Sequence, residues 1–165
     1  MKPASHPEAL RLQQILGPQF KVVEFEQTTH TAADAAAAVG CDVAQIAKSL
    51  VFTTRKSNQP VLVVASGAHR VDTKKIAAIA GERVRAADAE FIRTVCGFEP
   101  GGVSPAGHRT KPLTILDSAL AQWPLIWAAA GTPNAVFALT PGQLQEITGA
   151  DFTDIAGLAP DPAVT

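Results

Sequence analysis

The sequence predicts a single α+β domain in which helices surround a mixed, mostly antiparallel sheet that curls towards a barrel. Its 165 residues are enough for one domain with a substantial core but too few for two full domains. The expected helices and strands follow each other without the strict strand–helix–strand order of a fully parallel sheet. We therefore expect one domain over residues 1–158, followed by a frayed tail over 159–165.

The first half of the chain alternates capped helices with apolar strands. Ser5 and Glu8 have the spacing of a capping box, which predicts a helix as far as Leu16. Thr31 and Asp34 repeat this spacing before an alanine run that ends at Gly40. The other elements predicted here are a strand over 20–25, a short helix from Asp42 to about Lys48, and a hairpin of strands 49–54 and 60–65.

The second half places a long glycine-rich loop between helices and strands. Asp72 and Asp88 each cap a predicted helix, and Gly81 and Gly97 end them. Four glycines and three prolines between positions 97 and 112 exclude a regular element there. The other elements predicted are strands over 83–85, 113–116, 125–129, 135–139 and 152–155, and a helix from Thr140 to Gly149.

Charge is distributed unevenly along a chain whose formal net charge is only −1. Residues 48–111 hold eleven Lys and Arg against five acids, whereas residues 112–165 hold five acids and no Lys or Arg. The basic segment either presents a positive face to a polyanion or simply solvates exposed helices and turns. Because the net charge is not positive, we do not expect non-specific binding to duplex DNA.

Composition also predicts the compartment. No apolar run approaches the roughly 18 residues of a membrane-spanning helix, and the first 16 residues lack the apolar region of a secretory signal. Cys41 and Cys96 form no Cys-x-x-Cys pair, which favours a reducing environment. We therefore expect a cytoplasmic protein that makes no membrane contact.

Most familiar catalytic motifs are missing from the sequence. The four histidines (His6, His30, His69 and His108) lack the spacing of metal ligands, so we predict no metal site. Neither a P-loop nor Gly-x-Gly-x-x-Gly occurs, and we expect no cofactor. Cys96 lies where a small apolar residue often packs, so we do not expect it to be a nucleophile.

Two features remain for chemistry. Gly101 and Gly102 open a Gly-Gly-Val-Ser-Pro segment whose N–H groups form either a nest for an oxyanion or phosphate, or only a structural turn. Lys48 stands between a predicted helix end and an apolar strand. A lysine there either serves a site or stabilises the helix dipole.

Three segments, in order and spacing, resemble the YbaK/ProX family, the free-standing relatives of the editing domain of bacterial prolyl-tRNA synthetase. They are Gln45-Ile-Ala-Lys-Ser-Leu-Val-Phe52, Gly101-Gly-Val-Ser-Pro-Ala-Gly-His108 and Gly131-Thr-Pro-Asn-Ala-Val-Phe137. The resemblance covers about residues 5–156. It implies hydrolysis of the ester of a mischarged aminoacyl-tRNA without a metal or a covalent enzyme nucleophile.

The resemblance also implies the site residues. Lys48 would be the required lysine, against the aminoacyl ester or the adjacent phosphate, and Gly101 would open the Gly-x-x-x-Pro loop that polarises the ester carbonyl. His30 would either bind a polar substrate side chain or cap the following helix. The other substrate-binding residues expected from the resemblance are Thr29, Thr31, Ser66, Gly67, Gly102, Val103, Ser104, Pro105, His108 and Gly131.

The sequence therefore predicts a trans-editing deacylase, whose substrate is expected to be tRNA(Pro) carrying Ala, Cys, Ser or Thr. Its partners would be the acceptor end of the aminoacyl-tRNA and prolyl-tRNA synthetase. The alternative is a module of the same fold that binds aminoacyl-tRNA or a synthetase without catalysis. Only the first would lose an activity when Lys48 is replaced by alanine.

Overall fold

The computed structural model describes residues 1–26, 29 and 31–157. The strands in this part of the chain are β1 (Lys2–Pro3), β2 (Val22–Glu24), β3 (Ile46–Thr54), β4 (Pro60–Ser66), β5 (Val84–Ala86), β6 (Leu113–Asp117), β7 (Ile126–Ala129), β8 (Ala135–Leu139) and β9 (Phe152–Thr153). The helices are α1 (Pro7–Leu16), α2 (Ala32–Val39), α3 (Thr73–Ala80), α4 (Ala89–Phe91) and α5 (Pro141–Thr148). Short 3-10 turns cover Val43–Gln45 and Ser118–Gln122, and a π-helical turn over Ile92–Cys96 continues α4.

The strands form one mixed sheet, as predicted. Its order is β1-β2-β8-β7-β3-β4-β6-β9, and β5 pairs with β3 outside this path. Five of the pairings are antiparallel and three are parallel. Among the described strands β1 and β9 remain at opposite ends of the path, so the sheet is open and does not close into a barrel.

Helices cover both faces of this sheet. Strand β4 is buried along its whole length, which explains its uninterrupted apolar sequence. Its Leu62 and Val64 face the larger core with α1 and α5, whereas Val61 and Val63 face a second core with α3. A third, alanine-rich cluster packs α2 against Ile46 at the start of β3.

The prediction was wrong where β3 begins. Asp42 and Gln45 do form a capping box, but it closes only the 3-10 turn Val43–Gln45. The chain is extended from Ile46 onwards because that side chain packs against α2 and its main chain pairs with β7. Lys48 therefore lies within a strand, and stabilisation of a helix dipole no longer explains it.

Two further differences have local causes. His6 rather than Ser5 caps α1, since its Nδ1 accepts the Glu8 N–H at 3.1 Å. Ser5 instead donates its N–H and its hydroxyl to the buried Glu24 carboxylate, both at 2.8 Å. The predicted tail, residues 159–165, lies outside the described residues. No described helix is both long and apolar enough to cross a membrane.

Candidate functional site

The site begins with a gap along one edge of β3. Strand β7 pairs with β3 only at Ile46 and Ala47, and β5 pairs with it only from Phe52 onwards. Between these pairings the edge of β3 has no strand partner among the described residues. Ile46 O and Thr54 N–H are hydrogen-bonded on the β4 side. By the alternation of an antiparallel ladder, the main chain of Ser49 is therefore directed towards the gap.

A cavity of about 260 Å³ lies at this gap. It is close to the lower end of ordinary ligand pockets and suits a small group. Both Lys48 and Gly101 line it, although they are distant in sequence. The other lining residues are Thr29, Thr31, Ala32, Ala35, Ile46, Ala47, Ser49, Leu50, Val103, Trp127, Ala128, Ala129, Pro133, Ala135 and Val136.

Lys48 is a half-buried cation in a largely apolar wall. Burial lowers its pKa, because the charged form loses water, and the Asp117 carboxylate partly offsets this effect. Asp117 is 1% exposed, and its carboxylate accepts the N–H groups of Ser66 and Ala119, both at 3.0 Å. Lys48 makes no ion pair with any described residue. Its ammonium group is thus available to an anionic or polarised ligand.

The glycine loop lines the same cavity as Lys48, through Gly101 and Val103. Gly101 has φ +91°, a conformation that other residues adopt only with strain. At Gly102 an added Cβ would lie 2.6 Å from the carbonyl oxygen of Gly131. Only glycine at position 102 lets this loop approach the 131–134 turn so closely, which explains the glycine pair.

Two main-chain N–H groups of the loop are not engaged by the described residues. The Gly102 N–H is already bonded, to Glu99 O at 3.0 Å. By contrast, the N–H groups of Gly101 and Val103 donate to no acceptor among residues 1–26, 29 and 31–157. Both residues line the cavity. Two such donors near one point can stabilise a developing oxyanion.

The cavity lining does not include Ser104, Pro105 and His108. Contacts within the loop involve these residues instead. His108 Nε2 lies 2.7 Å from Ser104 O, and its ring packs edge-on against Phe98 at 4.9 Å. Burial lowers the pKa of His108, so the neutral ring that donates from Nε2 is favoured. Pro105 and His108 line a separate cleft of about 230 Å³.

Ser66, Gly67 and Gly131 also lie outside the cavity lining. Ser66 is fully buried, and its hydroxyl donates to Ala44 O at 2.8 Å. It is therefore no nucleophile, although His69 Nδ1 and Asp117 Oδ2 lie 3.4 Å apart beside it. A side chain at Gly67 would lie 2.5 Å from Val43 O, and Gly131 contacts Gly102 as described above. These three positions support the site through packing.

Thr29 and Thr31 form a further part of the cavity rim. The Thr29 hydroxyl donates to Pro133 O at 2.6 Å and so joins this rim to the 131–134 turn. Thr31 caps α2 in a complete capping box with Asp34. His30, predicted between them, lies outside the described residues.

Ser49 and Trp127 also line the cavity, and the sequence did not predict either as a site residue. The Ser49 hydroxyl is buried and has no hydrogen-bond partner among the described residues. Because successive strand side chains point to opposite faces, Ser49 and Lys48 reach the cavity from different sides of β3. No local pattern marks a serine in a strand as a site residue. Its signal was its place beside Lys48, at the start of the strand predicted over 49–54.

The arrangement can bind an acyl group between a cation and main-chain donors. A carbonyl oxygen directed at the N–H groups of Gly101 and Val103 would be polarised. The Lys48 ammonium would add a positive charge in a low-dielectric wall, where electrostatic effects are strong. Such a site favours attack on an already activated ester.

The comparisons with known proteins agree on one family. The model of the aminoacyl-tRNA editing domain matches residues 26–147. YwhH, an uncharacterized protein of Bacillus subtilis (strain 168), is 34% identical over 127 residues, which are 77% of this chain and 80% of that protein. EbsC of Enterococcus faecalis (strain ATCC 700802 / V583), provisionally named a Cys-tRNA(Pro)/Cys-tRNA(Cys) deacylase, is 31% identical over 140 residues, covering 78% of this chain and 85% of that one.

A solved structure gives the same result at the level of the fold. It is the crystal structure of a protein provisionally described as a trans-editing enzyme for prolyl tRNA synthetase. It superposes with a TM-score of 0.88 and 41% sequence identity, over 93% of this chain and 99% of that one.

Proposed function

This chain belongs to the aminoacyl-tRNA editing domain family, and we propose that it hydrolyses the ester of mischarged tRNA as a trans-editing deacylase. The observation that supports this most strongly is that one cavity is lined by Lys48 and by Gly101 and Val103, whose N–H groups have no acceptor among the described residues. An ester needs little more, since its carbonyl is activated and a positioned water is a sufficient nucleophile.

The reaction would proceed by attack of water on the ester carbonyl carbon. The new C–O bond forms as the carbonyl π electrons move to oxygen, which the N–H groups of Gly101 and Val103 stabilise. Collapse of this intermediate breaks the bond to the ribose oxygen. That oxygen takes up one proton of the attacking water and leaves as the terminal hydroxyl of the tRNA, while the other proton passes to solvent and the amino acid leaves as its carboxylate. Lys48 stabilises the negative charge or holds the adjacent phosphate.

The substrate we propose is tRNA(Pro) carrying alanine, cysteine, serine or threonine. The cavity walls are mostly small and apolar, with Ala35, Ala47 and Ala128 among them, which favours small amino acids. Pockets of this kind discriminate poorly between near-isosteric side chains. We further propose prolyl-tRNA synthetase as the source of the mischarged tRNA, and hence the cytoplasm as the place of action.

The experiment is a release assay with tRNA(Pro) charged with each of these four amino acids. The protein should release at least one of them above the buffer rate, and Lys48→Ala should abolish the excess. Lys21→Ala is the matched control, because Lys21 is exposed and outside the cavity lining. Binding of tRNA that survives Lys48→Ala, with no release of any amino acid by the unmodified protein, would instead establish the non-catalytic module.

A further inference from the structure

A second basic feature lies away from the cavity. Arg55 follows β3, Arg83 precedes β5, and the Arg55 N–H donates to Arg83 O at 2.9 Å. Lys74 lies on the first turn of α3. These three side chains line one surface groove of about 160 Å³, here called the cationic groove.

The charges of the cationic groove are not neutralised within the protein. Arg55, Lys74 and Arg83 are exposed, and none of them forms an ion pair with another described residue. Other cations form ion pairs; for example, Lys75 Nζ lies 3.3 Å from Asp154 Oδ2. Lys74 and its neighbour Lys75 thus differ, and only the first contributes a free charge to the groove.

The acidic groups nearest to the groove are directed elsewhere. The Glu82 carboxylate accepts the N–H groups of Lys56 and Ser57, at 2.7 and 3.2 Å, and the Ser57 hydroxyl at 2.9 Å. Asp72 accepts the Lys74 N–H at 2.9 Å as the cap of α3. Because both carboxylates are held by donors of the protein, the guanidinium and ammonium groups remain free for an external anion.

Strand β3 links the groove to the cavity. Arg85 lies opposite Thr53, five positions along β3 from Lys48, and Arg55 is seven positions from it. At about 3.3 Å per residue, these separations are roughly 17 and 23 Å. Strand β5 and the uncovered cavity edge lie on the same side of β3. A chain leaving the cavity along this edge therefore meets the basic residues.

From this we infer that the cationic groove binds the phosphate backbone of the tRNA whose aminoacyl end occupies the cavity, an inference that rests on the proposed function. The ligand must be anionic and extended, because its reactive end and the groove are about 20 Å apart. Arg and Lys are the residues that bind phosphates best. The groove also explains how a chain of net charge −1 could bind a polyanion, since the attraction is local.

The test measures binding of labelled, uncharged tRNA(Pro) by fluorescence anisotropy as a function of salt. The triple variant Arg55→Gln, Lys74→Gln, Arg83→Gln is compared with Lys2→Gln, Lys21→Gln, Lys111→Gln, which removes the same total charge elsewhere. Each lost phosphate contact should reduce the slope of log K against log salt by about 0.7–0.9, so the groove variant should lose about 2–3. Its Kd at low salt should rise at least about tenfold, and the control should change less than about twofold.

The inference is overturned if both triple variants weaken binding equally, since net charge alone would then explain it, or if the groove variant binds like the unmodified protein. Inorganic phosphate provides a further arm: competition with tRNA at low millimolar concentration would show a site for a free anion instead. Circular dichroism melting must show that both variants are folded.

Uncharged tRNA separates this inference from the proposed function. Groove-dependent binding without deacylation of any substrate would refute the enzyme and leave the groove. Deacylation that persists with unchanged KM in the groove variant would refute the groove alone.

Discussion

Replacing Gly102 by alanine should separate the glycine loop from the turn that supports it. The new Cβ would lie 2.6 Å from Gly131 O, 2.8 Å from its carbonyl carbon and 2.9 Å from Thr132 Cα. All three atoms belong to main chain, so no side chain can rotate away. Ordinary contact begins near 3.4 Å, which requires a shift of roughly 0.8 Å. Such overpacking costs about 1–3 kcal/mol of the free energy of unfolding.

The same shift should affect catalysis more than stability. The role proposed for this loop is to hold the ester carbonyl with its N–H groups. Because a displacement of about 1 Å at a reacting centre can cost on the order of 100-fold in rate, the deacylation rate should fall by about that factor. The melting temperature should fall by roughly 2–4 °C for each kcal/mol lost. We would measure it by circular dichroism, and the deacylation rate under single-turnover conditions.

Gly142→Ala is the matched control for this substitution. Gly142 lies in the first turn of α5, and a Cβ there would meet nothing closer than 3.9 Å. Alanine is a better helix former than glycine by about 0.5–1 kcal/mol, so this variant should be slightly stabilised and fully active. The reasoning is refuted if Gly102→Ala melts and reacts like Gly142→Ala.

Three further predictions concern the scaffold. Burial alone would raise the pKa of Glu24, but hydrogen bonds from Ser5 and His6 hold this pKa below its usual value. Glu24→Gln should therefore lower the free energy of unfolding by about 1–3 kcal/mol at pH 7. Urea unfolding at several pH values should show the effect of this charge. Below about pH 4.3 the unfolded chain takes up the proton first, so the unmodified protein should lose stability there, and Glu24→Gln should not show this loss. Burial lowers the pKa of His108, so the free energy of unfolding should decrease below about pH 6.5, where the unfolded chain takes up the proton first. His108→Gln should remove this pH dependence, and an equal dependence of the free energy of unfolding on pH in both proteins would contradict the prediction. Phe137 is fully buried and packs edge-on against Phe20 at 5.7 Å. Phe137→Ala should therefore lower the free energy of unfolding, measured by urea titration, by about 3–5 kcal/mol. A loss below about 1 kcal/mol would show that this core is not well packed.

Much of the fold could be predicted because its signals are local. The capping box of Thr31 and Asp34 forms as expected, and the apolar run after Pro60 is the fully buried strand β4. The family resemblance drawn from three short segments is also confirmed. Each of these signals depends on residues a few positions apart.

What failed depends on contacts that are distant in sequence. The helix expected to continue to Lys48 is a single turn followed by β3, because Ile46 packs on α2 and pairs with β7. Nothing local marks Ser49, whose buried hydroxyl lines the cavity beside Lys48.

The placement of the site residues follows the same rule. Spacing alone could not bring Lys48 and Gly101 together, and only the family resemblance implied it. The structure places both at one cavity, whereas His108 and Ser66 lie outside its lining and are hydrogen-bonded within the protein. Their roles in catalysis remain predictions for the variants described above.

A crystal structure with a non-hydrolysable analogue, in which an amide replaces the ester between alanine and the terminal adenosine, tests the central claim most directly. We predict that its carbonyl oxygen accepts hydrogen bonds from the N–H groups of Gly101 and Val103, at about 2.7–3.1 Å, with the Lys48 ammonium on the other side of the acyl group. An analogue bound in the cleft beside Pro105, or turned so that its carbonyl faces away from the glycine loop, would contradict the account.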